Sequence, residues 1–234
     1  MPTDFLGVTL ELLDGFTVSL IIFAVTLLCG APLGLPIAFC SMSRFKVVRA
    51  ISKTFVWIIR GIPLMLQIFI IKYIPNLLFG ATFWRELDDY IFLNYPPDTL
   101  LSSSLIIVLI AFAINYACYF SEIYRGGIES ISKGQYEAGY VLGLTKSQIF
   151  RKIILKQVIQ RIVPPMSNEI ITLIKDTALA NCIMVAEIIL VAKNMGAEGL
   201  IWPLFYTGAF YLIFVGILTI VLGKVEKKLS YFRS

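Results

Sequence analysis

The chain has 234 residues, 58% of them apolar and 15% charged, with a formal net charge of +5. Mean hydropathy is +0.84, the charges cluster and the apolar runs between them are long. That pattern argues against a soluble globular domain and for an integral membrane protein. Histidine is absent and the four cysteines, Cys29, Cys40, Cys118 and Cys182, stand isolated in apolar runs, so zinc, haem, most proton relays and a disulfide framework have little to build on.

A spanning helix needs roughly 20 apolar residues, and five segments qualify. The opening MPTDFLGVTLELLDG has no basic leader region and carries Asp4, Glu11 and Asp14 instead, so insertion is expected to rest on the first span. That span covers residues 16–40, kinked or broken near Pro32 and Pro36. The second covers 55–79, with Pro63 near its start and Pro75 near its end. The third covers 100–120, the fourth, long and polar in places, 162–191, and the fifth 200–222.

Lysine and arginine fix the expected orientation. Arg44, Lys46, Arg49, Lys53 and Arg60 follow the first span. Arg125, Lys133, Lys146, Arg151, Lys152, Lys156 and Arg161 follow the third, and Lys224, Lys227, Lys228 and Arg233 follow the fifth. The segment between the second and third spans is acidic, with Glu86, Asp88, Asp89 and Asp98. The N-terminus is therefore expected outside and the C-terminus inside. With no internal repeat, the chain reads as one all-α membrane domain over residues 1–234. Trp57, Trp84 and Trp202 suit interfacial belts.

Residues 121–165 form the longest inner loop. Thr145 with Gln148 makes a capping box and Ser132 with Gln135 a weaker one. Gly143 separates two short helical patterns, 133–142 and 146–160, and Ile149, Phe150, Ile153 and Ile154 share a face of the second. The pattern fits a docking element and equally a solvated positive-inside loop.

YEAGYVLG, followed by IIL, resembles the E-A-A-x-x-x-G signature of ABC importer permeases, falling on Glu137, Ala138, Gly139 and Gly143. RGIPLMLQ at 60–67, SEIYRGGI at 121–128 and NEIITLIKDTALA at 168–180 resemble, in order and spacing, motifs of the polar amino-acid uptake permeases. Three positions depart from that pattern: Gly139 replaces the second alanine, Ser132 a common proline, and Lys156 the usual proline that would mark where the coupling helix ends and the fourth span begins. The resemblance implies a type I ABC importer membrane domain in the bacterial cytoplasmic (inner) membrane. It implies a homodimer or heterodimer with a second permease and two ATP-binding subunits docked on the inner loops. An extracytoplasmic substrate-binding protein would deliver an amino acid. This chain would bind no cofactor or metal, ATP and Mg being used by the partner ATPase, which the absence of a GxxxxGK[ST] loop fits. Lipid is an expected partner and nucleic acid is not.

The fourth span carries the most expensive residues. A charge at mid-bilayer costs roughly 2.5–3.5 kcal/mol on the insertion scale. On a helix, Asn168, Glu169, Thr172, Lys175 and Asp176 fall within about 120° of one another, one polar stripe beside a broad apolar face. Lys175 lies about 21 Å above Arg161 by helical rise. It points about 100° away from Asp176, so the two charges need a third body: a solute, another span or a second subunit. The stripe is a candidate substrate site, against an inter-helix ion pair or a lysine that snorkels outward. Arg60, Gln67, Asn115 and Glu187 are candidate gate or path residues, each with a packing or anchoring alternative. Glu122 and Arg125, one turn apart, form an expected local pair.

An ion-coupled carrier or channel is the competing reading, although carriers commonly show internal repeats. An intramembrane enzyme would need a nucleophile or metal set, and no G-x-S-x-G or paired cysteines appear.

Overall fold

The computed structural model describes residues 4–80, 82–95 and 100–230; Asp98 and Arg233 lie outside the described residues. Among the described residues the chain forms ten α-helices, one π turn and one 3-10 turn, and no strand. Asp4 starts α1 (Phe5–Ser41) by accepting a hydrogen bond from the Gly7 N–H at 3.1 Å. The helix then runs unbroken for 37 residues, Pro32 and Pro36 included. The expected break there does not occur, because α1 is clamped along α5 (Ser103–Glu129). Gly30 and Gly34 permit that closeness: a Cβ on Gly34 would stand 3.0 Å from the Ala117 carbonyl and the Phe120 Cβ. The Tyr124 hydroxyl adds a 3.1 Å bond to the Ala31 carbonyl. Phe112, Tyr116 and Phe120 of α5 are fully buried at the centre of the main core.

The second expected span is two helices. α2 (Lys46–Gly61) and α3 (Leu64–Phe79) meet at 104° across Ile62 and Pro63. The break follows from proline, which pushes its predecessor out of the helical region; Ile62 is extended at φ −101, ψ 129. The Gln67 amide then fastens the corner, donating to the Ile59 carbonyl at 2.7 Å and the Ile62 carbonyl at 2.8 Å. A short acidic helix, α4 (Phe83–Asn94), follows. Its Asp88 accepts from the Ser103 N–H at 2.8 Å and the Ser103 hydroxyl at 2.7 Å, tying it to the start of α5.

The inner loop folds as α6 (Lys133–Val141) and α7 (Lys146–Ile149), and a π turn (Phe150–Ile154) carries α7 directly into α8 (Leu155–Asp176). The Thr145–Gln148 capping box forms in both directions. The Ser132–Gln135 box does not: Gln135 is instead held by the Gln157 amide at 3.0 Å. With lysine rather than proline at 156, no break separates the loop from the fourth span. That span breaks elsewhere, tightening after Asp176 into a 3-10 turn (Thr177–Ile183) and reversing at Met184, which has φ 68. Glu187 caps α9 (Ile188–Ala197), accepting from the Ile189 and Leu190 N–H groups at 2.9 Å each. α10 (Trp202–Ser230) closes the bundle.

Helices α1, α5 and residues 202–229 of α10 are each long and apolar enough to cross a membrane; the bent α2–α3 pair makes up to four. α8 is 22 residues long but carries charges along its length; it packs against α5 and α10 inside the bundle. Apolar side chains such as Phe205 and Leu212 of α10 face outward, the surface a bilayer requires.

Candidate functional site

Four elements converge around a cavity of about 500 Å³. The α2–α3 corner supplies Arg60 and the backbone through Leu64. α5 supplies Asn115, Tyr116 and Tyr119. α8 supplies Glu169, Thr172 and Asp176, and the 3-10 turn supplies Leu179. Charges of both signs thus line one space, built from chain segments far apart in sequence.

The site is held from behind. The Tyr116 phenol donates to Asp176 Oδ2 at 2.7 Å. The Arg60 guanidinium lies 4.8 Å from the centre of the Tyr119 ring, a cation–π arrangement. Glu122 stands 3.7 Å from Arg60, but its stronger partner is Arg125, which donates to both its oxygens at 3.0 and 2.7 Å and to Glu129 at 2.6 Å. Arg60 is therefore stacked and loosely paired, with donors left to meet a guest.

The polar stripe of α8 is divided. Glu169, Thr172 and Asp176 line the cavity. Asn168 and Lys175 are exposed and lie outside its lining. Asp176 finds a partner on α5, while Lys175 makes no hydrogen bond or ion pair among the described residues. Of the four path candidates, Arg60 and Asn115 line the cavity. Gln67 is buried and spends its amide on the α2–α3 corner. Glu187 is buried as the α9 cap. Tyr116 and Tyr119 are functional candidates that the sequence does not single out: among 11 tyrosines, nothing in local pattern marks the two that line the cavity.

In the loop, Glu137 and Ala138 are exposed and Gly139 is buried. A Cβ on Gly139 would come within 2.7 Å of Ile149 Cγ1, so the replacement of alanine by glycine lets α6 lie against α7. Gly143, at φ 74, ends α6 in the left-handed conformation. The flanking Val141 and Leu142 are 87% and 75% exposed, an apolar tip beside Glu137. Among the described residues, no group of three or more Cys, Asp or Glu side chains is placed to hold a metal ion.

The sequence matches the family described as binding-protein-dependent transport system inner membrane component over residues 30–229. It is 37% identical over 206 residues to the L-cystine transport system permease protein TcyB of Bacillus subtilis (strain 168), covering 87% of this chain and 80% of that protein. It is 31% identical over 222 residues to the arginine transport system permease protein ArtQ of the same organism, covering 94% and 92%. The fold is similar to a chain of the crystal structure of an amino acid ABC transporter with histidines, with TM-score 0.76 and 26% identity over 97% of this chain and 100% of that one. An inward facing structure of the MetNI methionine ABC transporter shares the fold at TM-score 0.64 and 14% identity, covering 98% and 99%.

Proposed function

The chain belongs to the family of binding-protein-dependent transport system inner membrane components, and from that footing we propose that it forms the amino-acid path of an ATP-driven importer through the cavity between α5, α8 and the α2–α3 corner. Family membership displaces the ion-coupled carrier as a reading. The observation that carries the proposal is the cavity's mixed charge: one guanidinium, Arg60, and two carboxylates, Glu169 and Asp176, around about 500 Å³. That is the complement of a zwitterion. Arg60 receives the α-carboxylate, a role the stripe alone would have given to Lys175. Asp176, steadied by Tyr116, and Glu169 receive the α-ammonium or a cationic side chain. Thr172 and Asn115 add neutral hydrogen bonds. The surplus carboxylate favours solutes with a net positive charge.

The machinery around that path follows the relatives. Residues 1–234 act as one membrane domain, N-terminus outside, in a bacterial inner membrane. Glu137, Ala138 and the exposed Val141 and Leu142 dock on an ATPase subunit, with Gly139 and Gly143 shaping the element. The unbroken run from α7 through the π turn to α8 delivers a push from that contact to Glu169 and Asp176. ATP and Mg belong to the ATPase, of which two copies serve two permease subunits. A binding protein presents the solute on the far side.

The test is uptake. The chain, reconstituted in vesicles with its ATPase and binding protein, should accumulate a basic amino acid only with internal-side ATP. Arg60→Met and Asp176→Asn should each raise the half-saturating solute concentration for stimulated ATP hydrolysis about tenfold, the scale of losing one charge-assisted bond to the solute. Uptake driven by an ion gradient without ATP would sink the proposal, as would unchanged saturation in both variants.

A further inference from the structure

α2 is built differently from every helix that crosses the bundle. At about 100° per residue, Lys46, Arg49, Lys53 and Arg60 fall within an arc of about 60°. Val47, Ile51, Phe55 and Ile58 occupy a second arc, centred about 170° away. Both arcs are exposed; Val47 and Ile51 are 71% and 66% accessible. Between them lies the arc that meets the protein. There Val56 is buried and Ser52 is bonded to the Ser41 hydroxyl at 2.8 Å and the Ile37 carbonyl at 3.1 Å, at the end of α1. The protein thus grips α2 from one side, with an apolar face to one flank and a basic face to the other.

The direction of the helix agrees. α3 packs against α5 and buries Ile68 in the main core, and we infer from this that it runs with the crossing helices. α2 meets α3 at 104° and therefore lies close to the membrane plane. A helix in that plane needs apolar side chains toward the acyl chains and basic ones toward the headgroups. Trp57, exposed next to the basic arc, sits where an indole favours the headgroup level.

We propose that α2 is not part of a span but an in-plane helix on the inner leaflet, and that Lys46, Arg49 and Lys53 bind the headgroups of anionic phospholipids. The occupant follows from the two faces together: a soluble acidic partner would match the basic arc but leave Val47, Ile51, Phe55 and Ile58 in water, whereas a lipid surface satisfies both. Arg60 is the one basic residue of the arc that turns back to the protein, to Glu122 and Tyr119. The same rigid helix thus touches the headgroups at one end and lines the central cavity at the other.

The test uses the full chain in vesicles of phosphatidylcholine with or without phosphatidylglycerol, and no readout involves transport, so it stands or falls apart from the importer reading. With the four native cysteines replaced by alanine, a nitroxide is placed at Ile51→Cys or at Lys53→Cys. The first should report a shallow hydrocarbon position and the second free collision with a water-soluble paramagnetic reagent. Both labels near the bilayer centre, or both in water, would overturn the in-plane placement. Phosphatidylglycerol retained on the purified chain is then counted by native mass spectrometry for the parent and for Lys46→Gln, Arg49→Gln and Lys53→Gln, singly and combined. Each neutralised charge should weaken retention about fivefold. Undiminished retention in the triple variant overturns the lipid assignment. So does loss of co-purifying ATPase subunits with retention unchanged, which would make the basic face a protein contact.

Discussion

Asp176 sits where α8 tightens into its 3-10 turn, and the Tyr116 phenol 2.7 Å away fixes which way the carboxylate points. A hydrogen bond to a charged group contributes about 1.5–3 kcal/mol. Tyr116→Phe removes that bond while keeping the ring, which is fully buried against Phe112 and Phe120. In the reconstituted importer the half-saturating solute concentration should rise about tenfold, with the melting temperature lowered by only several degrees and the protein still folded. A fall in melting temperature with saturation unchanged would make the Tyr116–Asp176 bond a packing device. On the page of sequence, Asp176 is conspicuous as a carboxylate in an apolar run; Tyr116 is one aromatic among many, and its role exists only through the contact.

At the scale of elements, two short segments decide how the long ones are used. The corner between α2 and α3 turns the chain by 104°, and Gln67, which the sequence offers only as a polar side chain in a span, locks it through two backbone carbonyls. The α6–α7 pair depends on Gly139, above which Ile149 is packed with 1% of its surface exposed. Gly139→Ala adds helix propensity of about 1 kcal/mol but brings a methyl within 2.7 Å of Ile149 Cγ1, and overpacking of that kind costs typically 1–3 kcal/mol. Overpacking wins: limited proteolysis of the purified protein should cut the α6–α7 segment faster in the variant. Equal or slower cutting would show that α7 can move aside freely. The capping box at Thr145 was legible because its two residues are neighbours in sequence. The weaker one expected at Ser132 does not form; Gln157, from the start of α8, takes the glutamine instead.

Across the whole molecule, the exposed arm of α8 poses the remaining problem. Asn168 and Lys175 lie on the outside of the protomer, off the cavity lining, within about 20° of one another, and lipid acyl chains would offer them no hydrogen bonds. The outward faces of α1 and α10 are apolar by contrast, with Leu28 and Phe205 exposed. A second permease subunit packed on α8, part of the function proposed above, would resolve this. In the assembled complex, with native cysteines replaced, Lys175→Cys should cross-link to the companion subunit with a short bis-maleimide, and Phe205→Cys on the lipid face should not. The reverse pattern would move the interface to α10.

The sequence by itself determined what several segments are: the apolar runs of α1, α5 and α10, long enough to cross a bilayer, a structured loop with its glycines, and a charged helix, α8, whose polar residues share a stripe. These are properties of composition and helical period, which act within a segment. Tertiary structure decided what the segments do to one another. It divided the α8 stripe between a cavity and an outer face, put Arg60 but not Lys175 in the cavity lining with Glu169 and Asp176, assigned Gln67 and Glu187 to backbone capping, and laid α2 across α3. Helical period gives the angle between two side chains on one helix, but the rotation and depth of one helix against another come from packing. Here they come from contacts such as Gly34 on Phe120 and Ser52 on Ser41, between residues that no local pattern connects.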